Sequence, residues 1–378
     1  MKKRFLATLF AGVLAVSLFA SCGAPAAASS SAAAASAGSA ASTSVGTDGE
    51  PLKVALLLTG NLGDMSFLDS SNEGMKQVAE KYGAEVKVIE MGADATKYET
   101  NLLDASEGDY DVIIGSGWQT QEPIQNVAPD FPDKKYIIFD ASVDYTTGDL
   151  SNVYSISYKQ NEASFLAGVM AASMSETGVL GFLGGMDGPV INDFLIGYIE
   201  GGQYVNPDIK FLVGYVGSYV DSAKCKEMSL SQYNQGNADF VFTAAGAAGL
   251  GTLDAAKETG KWAIGVDSDQ ALLFAESDPD KANLIPASVM KRVDNSLVRA
   301  FDMIAEGTLP WGQAEELGLA DSAVGLSENE YYEKLVPQDV RDAIDAAEAK
   351  IISGEITVTT AFGMETSAIT AVIDSVKP

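Results

Sequence analysis

The residues best suited to chemistry in this chain sit in five short loops that each follow an apolar run. They are residues 60–67 (GNLGDMSF), 115–119 (GSGWQ), 184–189 (GGMDGP) with Phe194 beyond, 244–249 (AAGAAG) and 265–270 (GVDSDQ). Gly-rich and Asp-rich loops follow strands in most α/β proteins, so each loop alone says little. Together they offer aromatic faces (Phe67, Trp118, Phe194), glycines such as Gly246 that let backbone approach a ligand, and carboxylates (Asp64, Asp267) that can accept from two hydroxyls. Such a set suits a neutral, partly flat, hydroxyl-bearing ligand. Two of these residues have competing duties. Phe194, five residues after Pro189, fits a core aromatic as well as a ligand contact, and Asp267 fits an N-cap for a helix beginning at Gln270 as well as a ligand contact. Residues 246–251 (GAAGLG) lack the glycine spacing of a dinucleotide fingerprint and no Walker lysine follows them, so nucleotide phosphate binding has no support.

Other chemistries are excluded by what is missing. The 378 residues include no histidine, which removes the commonest general base, the Ser-His-Asp and Cys-His constellations and every His-containing zinc site. Two distant cysteines, Cys22 and Cys225, make neither a metal site nor an expected disulfide. Cys225 is expected to be a small buried or half-buried residue. No enzyme activity, metal or cofactor is expected. The net charge of −28 repels nucleic acid and anionic headgroups, so neither is a partner and the folded body stands off the membrane.

Loops of this kind need strands and helices to hold them. Residues 53–59 form a nearly continuous apolar run, as a buried parallel strand does, and residues 71–82 carry apolar side chains at helical spacing. The alternation then repeats, with strands over residues 84–90, 111–115, 135–140 and 153–158. It begins afresh from residue 162 with strands over 179–184, 210–216, 239–243 and 262–266, helices lying between them. Two such series make two similar α/β lobes, each a doubly wound parallel sheet, and ligands of open α/β sheets bind at the carboxyl ends of the strands. A later strand at 284–290 and a helix at 293–306 are expected to return to the first lobe. Residues 309–337 are mixed, 339–353 have a helical rhythm, and 366–378 are open between an extra helix and a frayed tail.

The N-terminus reads as an address. Lys2, Lys3 and Arg4 precede an apolar run over residues 5–20, too short and wrongly flanked for a mature transmembrane helix. The run ends Leu18-Phe19-Ala20-Ser21-Cys22, which resembles the lipobox of bacterial lipoproteins with Phe19 in place of an aliphatic residue. From Gly23 to Glu50 the composition collapses to Ala, Ser, Gly and Thr, a flexible tether that cannot bury a core. These features lead us to expect a signal peptide over 1–21, lipidation at Cys22 and a tether over 22–50. The protein is then held at the extracytoplasmic face of a membrane.

Residues 63–67 (GDMSF), 164–168 (SFLAG), 181–191 (GFLGGMDGPVI), 204–207 (YVNP) and 263–270 (AIGVDSDQ) strongly resemble the basic membrane protein (BMP) family, over roughly residues 53–326. These are substrate-binding lipoproteins of ABC importers, among them a purine nucleoside receptor. The resemblance implies a type I periplasmic-binding-protein fold, two lobes joined by a hinge near residues 157–161 and closing on a nucleoside. Its expected lobes are 51–158 with 289–308, and 159–288 with 309–378. It matches Phe67 and Phe194 to the aromatics that sandwich the base, Asp267 to the carboxylate that holds the ribose hydroxyls, Lys291 to the lysine beside it and Asp64 to the loop aspartate before the first aromatic. Two departures stand out. Leu58 occupies a place often acidic or polar in the family, leaving that contact to Asn61. In the loop after the third strand Trp118 is unusual, and Glu122 is the nearest equivalent of an aspartate that reads the base edge. The expected partners are a nucleoside and an ABC permease, the protein acting as a monomer; a sugar or other small neutral solute is the alternative ligand.

Overall fold

The computed structural model of the protein describes residues 50–378. The expected signal peptide, Cys22 and the expected tether up to its last residue lie outside the described residues.

Ten strands come in two successive series. The first is β1 (Lys53–Leu58), β2 (Glu85–Glu90), β3 (Val112–Ser116), β4 (Lys135–Phe139) and β5 (Val153–Tyr158); the second is β6 (Val179–Gly184), β7 (Lys210–Tyr215), β8 (Phe240–Ala244), β9 (Trp262–Asp267) and β10 (Ser288–Lys291). Two further strands follow, β11 (Gln313–Leu317) and β12 (Val324–Leu326). They form two six-stranded sheets, β11-β5-β4-β3-β1-β2 and β12-β10-β9-β8-β6-β7, in which β6 to β10 repeat the places of β1 to β5. Among the described strand pairs only β10–β12 is antiparallel. The near-continuous apolar runs are explained by burial from both faces: Val54 to Leu58 are all shut off from solvent.

The end of the chain departs from expectation. The strand expected to return to the first lobe does not, because β10 pairs with β9, Val289 lying opposite Val266. The following helix Val293–Glu306 does return, packing along helix Phe67–Tyr82. Nor do residues 309–378 all belong to the second lobe, since β11 completes the first sheet beside β5. The chain therefore crosses between lobes three times, after β5, after β10 and after β11. β11 (QAEEL) was hidden in the sequence because it is an edge strand with three of five residues exposed and two glutamates, and charge is one of the devices that keep sheet edges from pairing with other molecules.

Helices Gln160–Met174 and Pro189–Val205 cross in direct backbone contact. A Cβ at Gly201 would stand 1.9 Å from the Phe165 carbonyl oxygen, and one at Gly197 would stand 2.1 Å from that of Asn161. Because the obstacle is backbone, the helices must move apart to admit any side chain. Gly201→Val is therefore expected to destabilise the protein by at least about 1–3 kcal/mol, the usual cost of overpacking. Denaturant unfolding checks this, and an unchanged midpoint would contradict the close crossing.

The same helix pair holds the C-terminal segment. Asp193, fully buried, accepts from Thr360 Oγ1 at 2.6 Å and Ala361 N at 2.8 Å, while Asn161 Nδ2 donates to the carbonyls of Val358 (3.1 Å) and Thr359 (3.2 Å). Beyond it the chain ends in helix Thr366–Val376, which buries Ile369 and Val376. Cys225 is fully buried beside the Thr252 hydroxyl, and burial pushes its thiol up. No described helix is long and apolar enough to cross a membrane.

Candidate functional site

A cavity of about 760 Å³, mouth included, lies between the lobes and is lined almost wholly from strand carboxyl ends. The first lobe contributes the loop after β1 (Thr59, Asn61, Asp64, Phe67), the loop after β3 (Gly117, Trp118, Gln119) and Asp140 after β4. From the second lobe come Ile191 and Phe194, Tyr219 after β7, Gly246 after β8, Asp267 at the end of β9 and Lys291 at the end of β10. Of the residues expected from sequence, Phe67, Phe194, Asp267, Lys291, Asp64, Asn61, Trp118 and Gly246 are brought together here. Glu122 is not: it is exposed on helix Gln121–Val127, and Gln119, three residues earlier, faces the cavity instead. Leu58 lies in the core, and Asn61 stands exposed at the rim.

The first loop is built around Asp64. Its carboxylate accepts from the backbone N–H of Ser66 (3.0 Å), Leu68 (2.9 Å) and Asp69 (3.1 Å), satisfying the open donors at the start of helix Phe67–Tyr82. Burial pushes this carboxyl up to about 6, the backbone donors acting against the rise. Both oxygens are committed, so Asp64 shapes the loop that carries Phe67. The Phe67 ring packs tilted on Phe139, with centroids 5.3 Å apart.

Phe194 serves both of the duties its sequence position allowed. It is only 1% exposed and packs edge-on against Phe242, yet it also lines the cavity. For Asp267 the two duties separate. The cap of helix Gln270–Phe274 is Asp269, which accepts from Leu272 N at 3.2 Å and is braced by Asn329. Asp267 is left to the cleft, in the left-handed backbone region at φ 64°. Its Oδ2 accepts from the Ser66 hydroxyl at 2.6 Å, across the lobe boundary. Its Oδ1 is buried and makes no hydrogen bond among the described residues.

The loops after β1 and β9 meet at further points: Ser268 Oγ donates to the Ser66 carbonyl (3.0 Å) and Gln270 Nε2 to that of Met65 (3.1 Å). Between the lobes stands Lys291, its Nζ 2.9 Å from Asp140 Oδ1, 3.6 Å from Asp267 Oδ1, and 4.9 and 5.0 Å from the ring centres of Phe67 and Phe194. Burial works against its charge, but Asp140 and Asp267 outweigh it and hold the ammonium above its ordinary value. Burial pushes the Asp140 carboxyl up, with Lys291 opposing. One ammonium between two buried carboxylates leaves an excess of acid.

Sequence reasoning passed over Asp140, Gln119 and Tyr219. Asp140 was findable: it follows β4 as Asp267 ends β9, these strands hold equivalent places in their sheets, and both aspartates have φ 64°. Tyr219 depends on Gly185, where a Cβ would lie 2.4 Å from its ring. Burial pushes the Tyr219 phenol up to about 12, so it remains a hydroxyl donor near neutral pH.

The chain has relatives among known proteins. Residues 52–361 match the Bmp family, described as "ABC transporter substrate-binding protein PnrA-like". The ABC transporter nucleoside-binding protein BmpA of Lactococcus lactis is 31% identical over 373 residues, 95% of this chain and 99% of the relative. A CD4+ T-cell-stimulating antigen of Listeria monocytogenes is 33% identical over 313 residues, 79% of this chain and 85% of the relative. Among solved structures, an ABC transporter solute-binding protein of Aeropyrum pernix aligns with a TM-score of 0.76 at 28% identity, covering 86% of this chain and 97% of its own. The architecture is thus the periplasmic-binding-protein fold. The chain belongs to the Bmp family of PnrA-like ABC transporter substrate-binding proteins, which bind a solute rather than transform it.

Proposed function

We propose that the cleft binds a nucleoside, purine nucleosides first, and that the protein delivers it as a monomer to a membrane permease while anchored by lipid at Cys22. The observation that carries this reading is the pairing of Phe67 and Phe194, from opposite lobes, with a buried carboxylate whose Oδ1 has no hydrogen-bond partner among the described residues. A base fits between aromatic faces, where stacking contributes roughly 1–3 kcal/mol per base, and a ribose brings the hydroxyls that Asp267 accepts. The excess of carboxylates favours a neutral nucleoside over a nucleotide. The nucleoside-binding relative at 31% identity supports the same reading.

A thermal-shift screen over nucleosides, free bases and sugars tests it, because a ligand at a hundred times its Kd adds about 2.7 kcal/mol of stability. Nucleosides are expected to raise the melting temperature most. A response to sugars alone would replace the nucleoside with a sugar in the same cleft. The anchor is tested separately: Cys22→Ala should move the protein from the membrane fraction to the soluble one, and retention in the membrane at the original level would refute lipidation.

A further inference from the structure

Asp140 has no role in the reading above, yet it makes the shortest contact to Lys291. It stands on the first lobe just beyond β4, whereas Lys291 ends β10 of the second, and their side chains are 9% and 3% exposed. A buried ion pair broken by removing one partner loses far more than a surface pair, because the remaining charge stays buried without compensation. The Asp140–Lys291 bond therefore ties the lobes together, alongside the Ser66–Asp267 bond. It also fixes where the ammonium sits, facing the rings of both Phe67 and Phe194. Without Asp140, the one carboxylate left to Lys291 would be Asp267, 3.6 Å away on its own lobe, and only the rings of Phe67 and Tyr158 would draw it toward the first lobe.

We propose that Asp140 is a positioning residue: from the opposite lobe it holds the Lys291 ammonium in the cleft, making a strut between the lobes on which ligand binding depends. Asp140 Oδ1 accepts one of the three N–H donors of Lys291, leaving donors for ligand oxygens or ring nitrogens. The strut also places a resident cation in a pocket whose aromatic faces and carboxylates would otherwise suit a cationic ligand.

The test uses the full chain, stripped of ligand, as wild type, Asp140→Asn, Lys291→Met and the double variant. Asn enters the left-handed backbone region about as readily as Asp, so the turn at φ 64° survives, and thermal melts verify folding. Small-angle scattering without ligand is expected to show all three variants more expanded than wild type, the double variant no more so than either single one. Calorimetry with inosine, which rests on the nucleoside reading, is expected to show affinity at least tenfold lower in Asp140→Asn, and no further loss when that change is added to Lys291→Met. An unaltered scattering profile in Asp140→Asn with affinity within twofold of wild type would overturn the proposal, as would losses that multiply in the double variant. Should wild type bind no inosine, the nucleoside reading fails, and the ligand-free scattering still decides the role of Asp140.

Discussion

Asp267→Ala is expected to weaken ribonucleoside binding more than tenfold and to flatten the preference for ribonucleosides over 2′-deoxyribonucleosides. Asp267 is the one cleft carboxylate with a buried oxygen, Oδ1, that has no hydrogen-bond partner among the described residues. A carboxylate only accepts, so a cis diol answers it well, and a sugar lacking one hydroxyl leaves an acceptor poorly satisfied in a closed space. Hydrogen bonds to a charged group are worth about 1.5–3 kcal/mol, or roughly ten- to over a hundredfold in affinity. The alanine variant also releases the Ser66 hydroxyl, so Asp267→Asn is the companion: it keeps an oxygen for Ser66 while removing the charge. Calorimetry with inosine and 2′-deoxyinosine measures both effects. Full affinity and full ribose preference in Asp267→Ala would refute the sugar-reading role.

Truncating either cleft aromatic is expected to weaken ribonucleosides and deoxyribonucleosides by the same factor, because a stacked ring does not sense the sugar. At about 1–3 kcal/mol per stacked base the loss is roughly fivefold to over a hundredfold. The two rings differ in what else they support. Phe194 is fully buried against Phe242, so Phe194→Ala also carries the roughly 3–5 kcal/mol stability cost of a deleted core aromatic, and Phe194→Leu is the better probe there. Phe67 is only half-buried, so Phe67→Ala reports on stacking more directly. Calorimetry with the same two ligands checks the prediction. A loss confined to the ribonucleoside, or no loss in either variant, would show that the base does not lie between these rings.

Much of the fold could be read from the sequence because burial leaves a local trace. A strand covered on both faces must be apolar throughout, as in β1 and β3, and the turn that leaves it must carry Gly, Asn or Asp, which marked the loops containing Phe67, Asp267 and Gly246. Those loops gather at one cleft because every parallel strand points its carboxyl end the same way. What the tertiary structure decided was which distant segments face each other. Nothing local tells β10 to pair with β9 or β11 with β5, because those partners are chosen by docking of whole elements, and the exposed charges of β11 conceal it further. Glu122 was misplaced for a related reason: a tight turn over Trp118–Thr120 puts Gln119 inward and leaves Glu122 on the outer side of the next helix. The capping of one helix by Asp269 freed Asp267 for the cleft, a choice that two aspartates two residues apart cannot reveal in sequence. The bond between Asp140 and Lys291 spans 151 residues and two lobes, so only the folded chain brings that carboxylate to that ammonium.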